Sequence, residues 1–191
     1  MLTHSKLLLH ICCAPDATIP WPELIGEGYD AIGYFYGGNI HPREEYEKRA
    51  EAVKILSDNI GAPVHIADVP AADWIAAVHG FENEPEGGAR CAKCFRLQLD
   101  TAATYAAANG FTHLSTTLTI SPHKNIVLIN ETGAESAKNH GLIWVARIWR
   151  KNNGFKRSVD ASRAMGLYRQ NYCGCIFSIR VPREVDANDD Q

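Results

Sequence analysis

Lys6-Leu7-Leu8-Leu9-His10-Ile11-Cys12-Cys13-Ala14-Pro15-Asp16 is the stretch on which the fold turns. A short apolar run that ends in Cys-Cys-Ala-Pro reads as a buried strand, Lys6 to Ile11, handing over to a loop. Two thiols and a carboxylate then sit at the strand's carboxyl end. Downstream, strand and helix signals alternate. Strands are predicted over Tyr29–Tyr36, Pro63–Asp68, Thr112–Ile120 and Ile143–Ile148. Helices are predicted over Trp21–Gly26, Pro42–Ile60, Ala71–His79 and Cys91–Asn109, then from a Ser121-Pro122 cap to about His140, and over Ser158–Met165 with a serine cap. In the Pro42–Ile60 helix, Tyr46, Ala50, Val53, Leu56 and Ile60 recur at spacings of three and four. Glu82 to Gly88 is a polar, glycine-bearing loop. The alternation predicts one α/β domain over 1–181, a parallel sheet of about five strands with helices on both faces. A polar acidic tail follows over 182–191.

Bulk properties narrow the function classes. The 191 residues are 46% apolar and 21% charged, with a net charge of −3, as in an ordinary soluble domain. No apolar run is long enough to cross a membrane. The opening residues lack a signal-peptide pattern, so a reducing cytoplasmic location is expected. There is no Gly-x-Gly-x-x-Gly and no Walker loop, which leaves nicotinamide or ATP use without support. In an open parallel sheet, ligands bind beyond the carboxyl ends of the strands. Cys12 and Cys13, Asn39 and His41, Asp68, Ser121 and Lys124, and Arg147 to Lys151 all fall at such ends. Asp68 is a candidate helix cap. His10, His65 and His113 lie within strands and are expected to be packed.

The six cysteines fall into three close sets, Cys12-Cys13, Cys91-Ala-Lys-Cys94 and Cys173-Gly-Cys175. Thiols used as small buried apolar groups would be scattered. Cys91 and Cys94, three apart at a helix start, can face one way, a spacing suited to zinc or an iron–sulfur cluster. With Asp16 the ligands number seven. One tetrahedral site or one cubane takes four, so three remain for a second metal with an open position. Adjacent cysteines point apart in an extended chain, so Cys12 and Cys13 are expected to serve different metals.

Between residues 147 and 169 the charges are Arg147, Arg150, Lys151, Lys156, Arg157, Arg163 and Arg169, against Asp160 alone, with Trp149, Phe155 and Tyr168 interleaved. Cations among aromatic rings suit a nucleic-acid backbone with unstacked bases, and the segment leads directly to Cys173.

Five motifs taken together resemble the QueH family, the cobalamin-independent epoxyqueuosine reductases. They are Leu9-His-Ile-Cys-Cys-Ala-Pro15, Phe35-Tyr36 with Asn39-Ile-His-Pro42, Arg90-Cys-Ala-Lys-Cys-Phe95, Thr116-Thr-Leu-Thr-Ile-Ser-Pro-His-Lys124 and Tyr168-Arg-Gln-Asn-Tyr-Cys-Gly-Cys175. The resemblance covers nearly the whole chain. It implies a nucleotide-hydrolase-like (Rossmann-like) fold, a [4Fe-4S] cluster and a neighbouring mononuclear metal, iron or zinc. Cys12, Cys13, Asp16, Cys91, Cys94, Cys173 and Cys175 would be the ligands. The implied reaction reductively removes the epoxide oxygen of epoxyqueuosine at the tRNA wobble position. It draws on an external electron donor and binds the anticodon stem-loop through the basic segment. Asp16, His123, Lys124 and Tyr172 are the candidate proton donors. The residues themselves leave open a zinc-stabilised tRNA-binding module and a thiol–disulfide oxidoreductase.

Overall fold

The computed structural model describes residues 5–179, so the 182–191 tail lies outside the described residues. Strand β1 (Lys6–Ile11) is central, flanked by β2 (Asp30–Phe35) and β4 (His113–Thr116). The edges are β3 (Val64–Ile66) and β5 (Ile143–Trp144), giving the order β3-β2-β1-β4-β5 with every neighbouring pair parallel. Seven helices complete the described chain: α1 (Ala14–Ala17), α2 (Pro20–Gly26), α3 (Arg43–Ile60), α4 (Ala71–Ala77), α5 (Ala89–Ala108), α6 (Ile126–Asn139) and α7 (Gly154–Ala164).

The unbroken apolar run of β1 is explained by burial on both faces. Leu7, Leu9 and Ile11 pack on one side with Trp21 of α2, Val53 and Leu56 of α3, and Phe35 of β2. Leu8 packs on the other with Ala102 and Ala106 of α5, Phe111 and Leu114. A strand covered by helices on both faces has no polar side to show, so alternation disappears. Each fully buried leucine contributes about 1.5–3 kcal/mol. The chain winds from β1 to β2 and β3 in one direction and to β4 and β5 in the other. The reversal opens a crevice at the carboxyl ends of β1 and β4.

Several boundaries differ from expectation. The Cys-Cys loop contains a helical turn, α1. β4 stops at Thr116, whose Oγ1 accepts the Leu118 amide at 3.2 Å and folds Leu118–Ile120 into a 3-10 turn. The following helix begins at Ile126, not at Ser121-Pro122. Its cap is Asn125, which accepts the Leu128 amide at 3.2 Å. His123 and Lys124 are thereby left on a loop over the crevice. β5 is only Ile143–Trp144. The last helix starts at Gly154, so Ser158 does not cap it; buried inside it, Ser158 donates to the Phe155 carbonyl at 2.7 Å. Asp68 caps nothing, since α4 is preceded by Pro70 with no side-chain cap.

Helix α3 also anchors the segment that carries the third cysteine pair. Arg49 Nε donates to Glu45 Oε1 at 2.7 Å, and both side chains are buried, at 2% and 8% exposure. The other guanidinium nitrogens donate to the carbonyls of Cys173, at 2.9 Å, and Tyr172, at 3.1 Å. Glu45 Oε2 accepts the Tyr168 hydroxyl at 2.7 Å. Gly174, at φ +125°, lies against Arg49, and its carbonyl accepts the His41 amide at 2.8 Å.

Breaking a buried ion pair from one side leaves the other charge uncompensated. Arg49→Ala is therefore expected to lower stability by about 3–5 kcal/mol in denaturant titration and to open the 168–175 segment to limited proteolysis. A second prediction concerns α7: a Cβ at Gly154 would lie 1.7 Å from the Trp149 carbonyl oxygen, so backbone must move. Gly154→Ala should cost about 3 kcal/mol by the same assay. Gly61→Ala, in open space at φ +72°, should cost only about 1–2 kcal/mol.

Candidate metal centre

All six cysteines line one cavity of about 330 Å³ at the crevice, together with Asp16, His123, Lys124 and Tyr172. Of the polar residues expected at the strand ends, Cys12, Cys13, Asn39, Ser121 and Lys124 line this cavity, whereas His41, Asp68 and Arg147 to Lys151 do not. The end of β1 delivers Cys12 and Cys13, the first two turns of α5 deliver Cys91 and Cys94, and the Arg49-anchored segment delivers Cys173 and Cys175.

The expectation that Cys12 and Cys13 point apart does not hold. The strand ends at Ile11 and the chain turns into α1 at Ala14, so the two thiols meet side by side and Asp16 returns toward Cys12. One ligand atom from each of Cys12, Cys13 and Asp16 lies within 4.8 Å of the others, an arrangement that can hold one metal ion. Cys12 Sγ donates to Asp16 Oδ2 at 3.2 Å, and Cys13 Sγ accepts from Gln170 Nε2 at 2.9 Å. The Cys12–Cys13 contact lowers the pKa of Cys12 and raises that of Cys13.

The other four thiols feel one another. Burial pushes Cys94 up to about 12, and Cys173 and Cys91 add to the effect. Burial raises Cys173 to about 11, with Lys124 opposing and Cys175 reinforcing. Cys94 and Cys175 share an apolar surround with Trp74 and Val78. Burial works to neutralise Lys124, but the charges of Cys12, Asp16, Cys173 and Cys13 overcome it and hold the ammonium above the ordinary lysine range. Lys124 is thus a cation that faces the thiols.

His10, His65 and His113 are packed, as expected. His10 is fully buried with Nδ1 2.9 Å from Thr116 Oγ1, and burial lowers its pKa to about 3. His65 stacks on Tyr34 and Tyr105, and His113 meets Tyr29 edge-on. The Tyr172 hydroxyl donates to the His41 carbonyl. His123 is exposed at the cavity.

The basic segment is dispersed. Arg147 pairs with Glu27 at 2.7 Å and Arg157 with Glu23 at 2.8 Å, on the surface beside α2. Arg150 donates to the carbonyls of Ser121, Pro122 and Lys124 at 3.2–3.4 Å, which braces the loop bearing Lys124. Arg169 lines the cavity and donates to Ser162 Oγ at 2.8 Å. Lys151, Lys156 and Arg163 are exposed, without an ion pair among the described residues. Sequence reasoning did not single out Arg49, Trp74, Gln98 or Gln170. The spacings Glu45–Arg49 and Cys94–Gln98, each one helical turn, were the available signals.

The family model described as "Epoxyqueuosine reductase QueH" matches residues 7–181. Relatives carrying that name include one from Acinetobacter baylyi, 40% identical over 92% of this chain and 81% of its own length. The relative from Streptococcus pyogenes is 38% identical over 92% of this chain and 71% of its own length. That from Thermotoga maritima is 35% identical over 96% and 95%. Among solved structures, the U34-tRNA thiolase NcsA from Methanococcus maripaludis, with its [4Fe-4S] cluster, matches at TM-score 0.58 and 11% identity. The match covers 93% of this chain and 62% of the thiolase chain, and at that identity it speaks to the fold alone. A family match across the described domain and relatives aligned over most of their own length agree with the cysteine motifs and the site that those motifs build: the chain belongs to the epoxyqueuosine reductase QueH family.

Proposed function

We propose that this chain removes the epoxide oxygen of epoxyqueuosine in tRNA, with two electrons and two protons entering and an alkene and water leaving. The observation that carries the reading is the convergence of six thiols, Asp16 and Lys124 on one cavity. The donor set fits two metal groups. Cys91, Cys94, Cys173 and Cys175 supply the four sulfur ligands that a [4Fe-4S] cluster takes. Cys12, Cys13 and Asp16, within 4.8 Å of one another, would hold a single iron or zinc ion with a position left open. When bound, these groups supply one-electron transfer and a Lewis acid for the epoxide oxygen.

The chain's own residues do the rest. Lys124 Nζ is the proton donor in this reading. It is held charged by the thiols and Asp16, and a departing alkoxide is far more basic than an amine. Tyr172 is less suited, because its hydroxyl is already spent on the His41 carbonyl. Asp16 already accepts the Cys12 thiol and serves as a ligand, while His123, exposed at the cavity, can pass protons inward from solvent. Phe155 and Arg169 line the same cavity, where a splayed wobble base can stack on the ring and a phosphate of the anticodon stem-loop can meet the guanidinium. Lys151, Lys156 and Arg163 extend phosphate contact outward, while Arg147 and Arg157 are already paired with glutamates. Electrons come from an external donor. In this reading the chain meets its tRNA in the cytoplasm. No described helix is long and apolar enough to cross a membrane.

Anaerobic purification tests the reading. Brown protein with iron and acid-labile sulfide is expected. Colourless protein with zinc alone would instead indicate a zinc-stabilised tRNA-binding module. Metal-free protein that cycles dithiol to disulfide would indicate a thiol–disulfide oxidoreductase. Serine at any of the six cysteine positions should abolish conversion of epoxyqueuosine in tRNA; full activity in the Cys12, Cys13 or Cys175 variant sinks the metal-site assignment. Lys124→Met should slow conversion by about 100-fold or more with iron content retained. Charge reversal at Lys151, Lys156 and Arg163 together should weaken tRNA binding by about tenfold or more and flatten its salt dependence.

A further inference from the structure

The hydrogen bonds received by the six thiols are unequal. Cys94 Sγ accepts two N–H donors, Gln98 Nε2 at 2.9 Å and Trp74 Nε1 at 3.2 Å. Cys13 accepts one, from Gln170, and Cys91 accepts one, from the Gly87 backbone at 3.2 Å. Among the described residues no other thiol receives two N–H donors. Both donors to Cys94 are buried, Gln98 at 3% exposure and Trp74 at 0%, so water does not compete for these contacts.

Gln98 is oriented from behind. The Leu118 amide donates to Thr116 Oγ1, which leaves the Thr116 hydroxyl hydrogen free to point at His10 Nδ1, 2.9 Å away. His10 then carries its hydrogen on Nε2, which meets the Gln98 side chain, short of a well-formed hydrogen bond. That contact favours the amide oxygen toward His10 and the NH2 toward sulfur. Trp74 is fixed by packing against Val78 and Cys175 and by ring contacts with His41 and Phe177.

An N–H dipole aimed at a ligand sulfur stabilises the form of a cluster that holds the extra electron. We propose that Gln98 and Trp74 are positioning residues whose paired N–H···S hydrogen bonds to Cys94 raise the reduction potential of the iron–sulfur centre. The proposal rests on the reading of Cys94 as a cluster ligand. One electron enters the centre per reduction, from the external donor that the reaction already requires. No bond forms or breaks at Gln98 or Trp74, whose hydrogens stay on nitrogen.

The test is a redox titration, followed by electron paramagnetic resonance, of anaerobically purified, cluster-loaded protein. Gln98→Met keeps the side-chain length and removes the donor; Trp74→Phe keeps an aromatic ring and removes the indole N–H. At the wild-type midpoint each variant should show a reduced-to-oxidised ratio lower by about tenfold, equivalent to about 59 mV for one electron. The double variant should shift further. An unchanged midpoint in fully loaded variants overturns this proposal alone. Loss of the cluster from both variants with the fold intact by circular dichroism also overturns it, because the two residues would then serve assembly. Wild-type protein without iron and sulfide removes the cofactor reading and this proposal with it.

Discussion

Arg49 carries a positive charge almost wholly out of water, and an isolated charge there would cost several kcal/mol. The charge is tolerated because each side of the guanidinium is met. Glu45 compensates it, and the carbonyls of Tyr172 and Cys173 take the remaining N–H groups. Those carbonyls belong to the segment that bears the third cysteine pair, more than a hundred residues away in sequence. The arginine therefore ties the assembly of the site to the packing of α3. Until the 168–175 segment comes down on α3, four thiols face the crevice without the other two. Tyr168 on Glu45 and the His41 amide on the Gly174 carbonyl reinforce the same seam from either side.

The second constraint is electrostatic. Six thiols share one cavity with the Asp16 and Glu86 carboxylates, Lys124 and three arginines, Arg49, Arg90 and Arg169, at the point where a doubly wound sheet reverses direction. Burial pushes Cys94 and Cys173 toward their protonated forms, so in the proposed reading ligation there would displace protons and metal uptake would rise with pH. Lys124 is a countercharge that the protein itself supplies. Arg150 holds that lysine's loop by three backbone carbonyls. A residue that reads in sequence as part of a nucleic-acid surface is thus spent on bracing the loop over the cysteine-lined cavity. Seven positive charges spread over 147–169 resolve into two surface ion pairs, one loop brace, one cavity residue and three exposed side chains.

Much of this molecule was legible before any coordinates. The apolar run Leu7-Leu8-Leu9 and the strand–helix alternation specify a parallel sheet, because only strands covered on both faces lose their polar alternation. Three close cysteine sets and Asp16 mark out the residues that meet at one cavity, because thiols used only as small buried apolar groups would be scattered. Boundaries were less legible where a side chain and the backbone compete for the same hydrogen bond. Thr116 ends β4 early in this way, and Asn125 in place of Ser121 starts α6.

What the tertiary structure alone decided is which groups meet. Cys12 and Cys13 stand side by side because α1 turns the chain immediately after them, a four-residue helix with no periodic signature to read. Gln98 and Trp74 aim at Cys94, and Arg49 at the Tyr172–Cys173 backbone, through contacts that span helices and loops remote in sequence, except for the single turn from Cys94 to Gln98. Local sequence sets periodicity and ligand chemistry, since both depend on near neighbours along the chain. The direction of a hydrogen bond between distant elements depends on how the layers pack, and that is fixed only when the whole sheet and its helices close around β1.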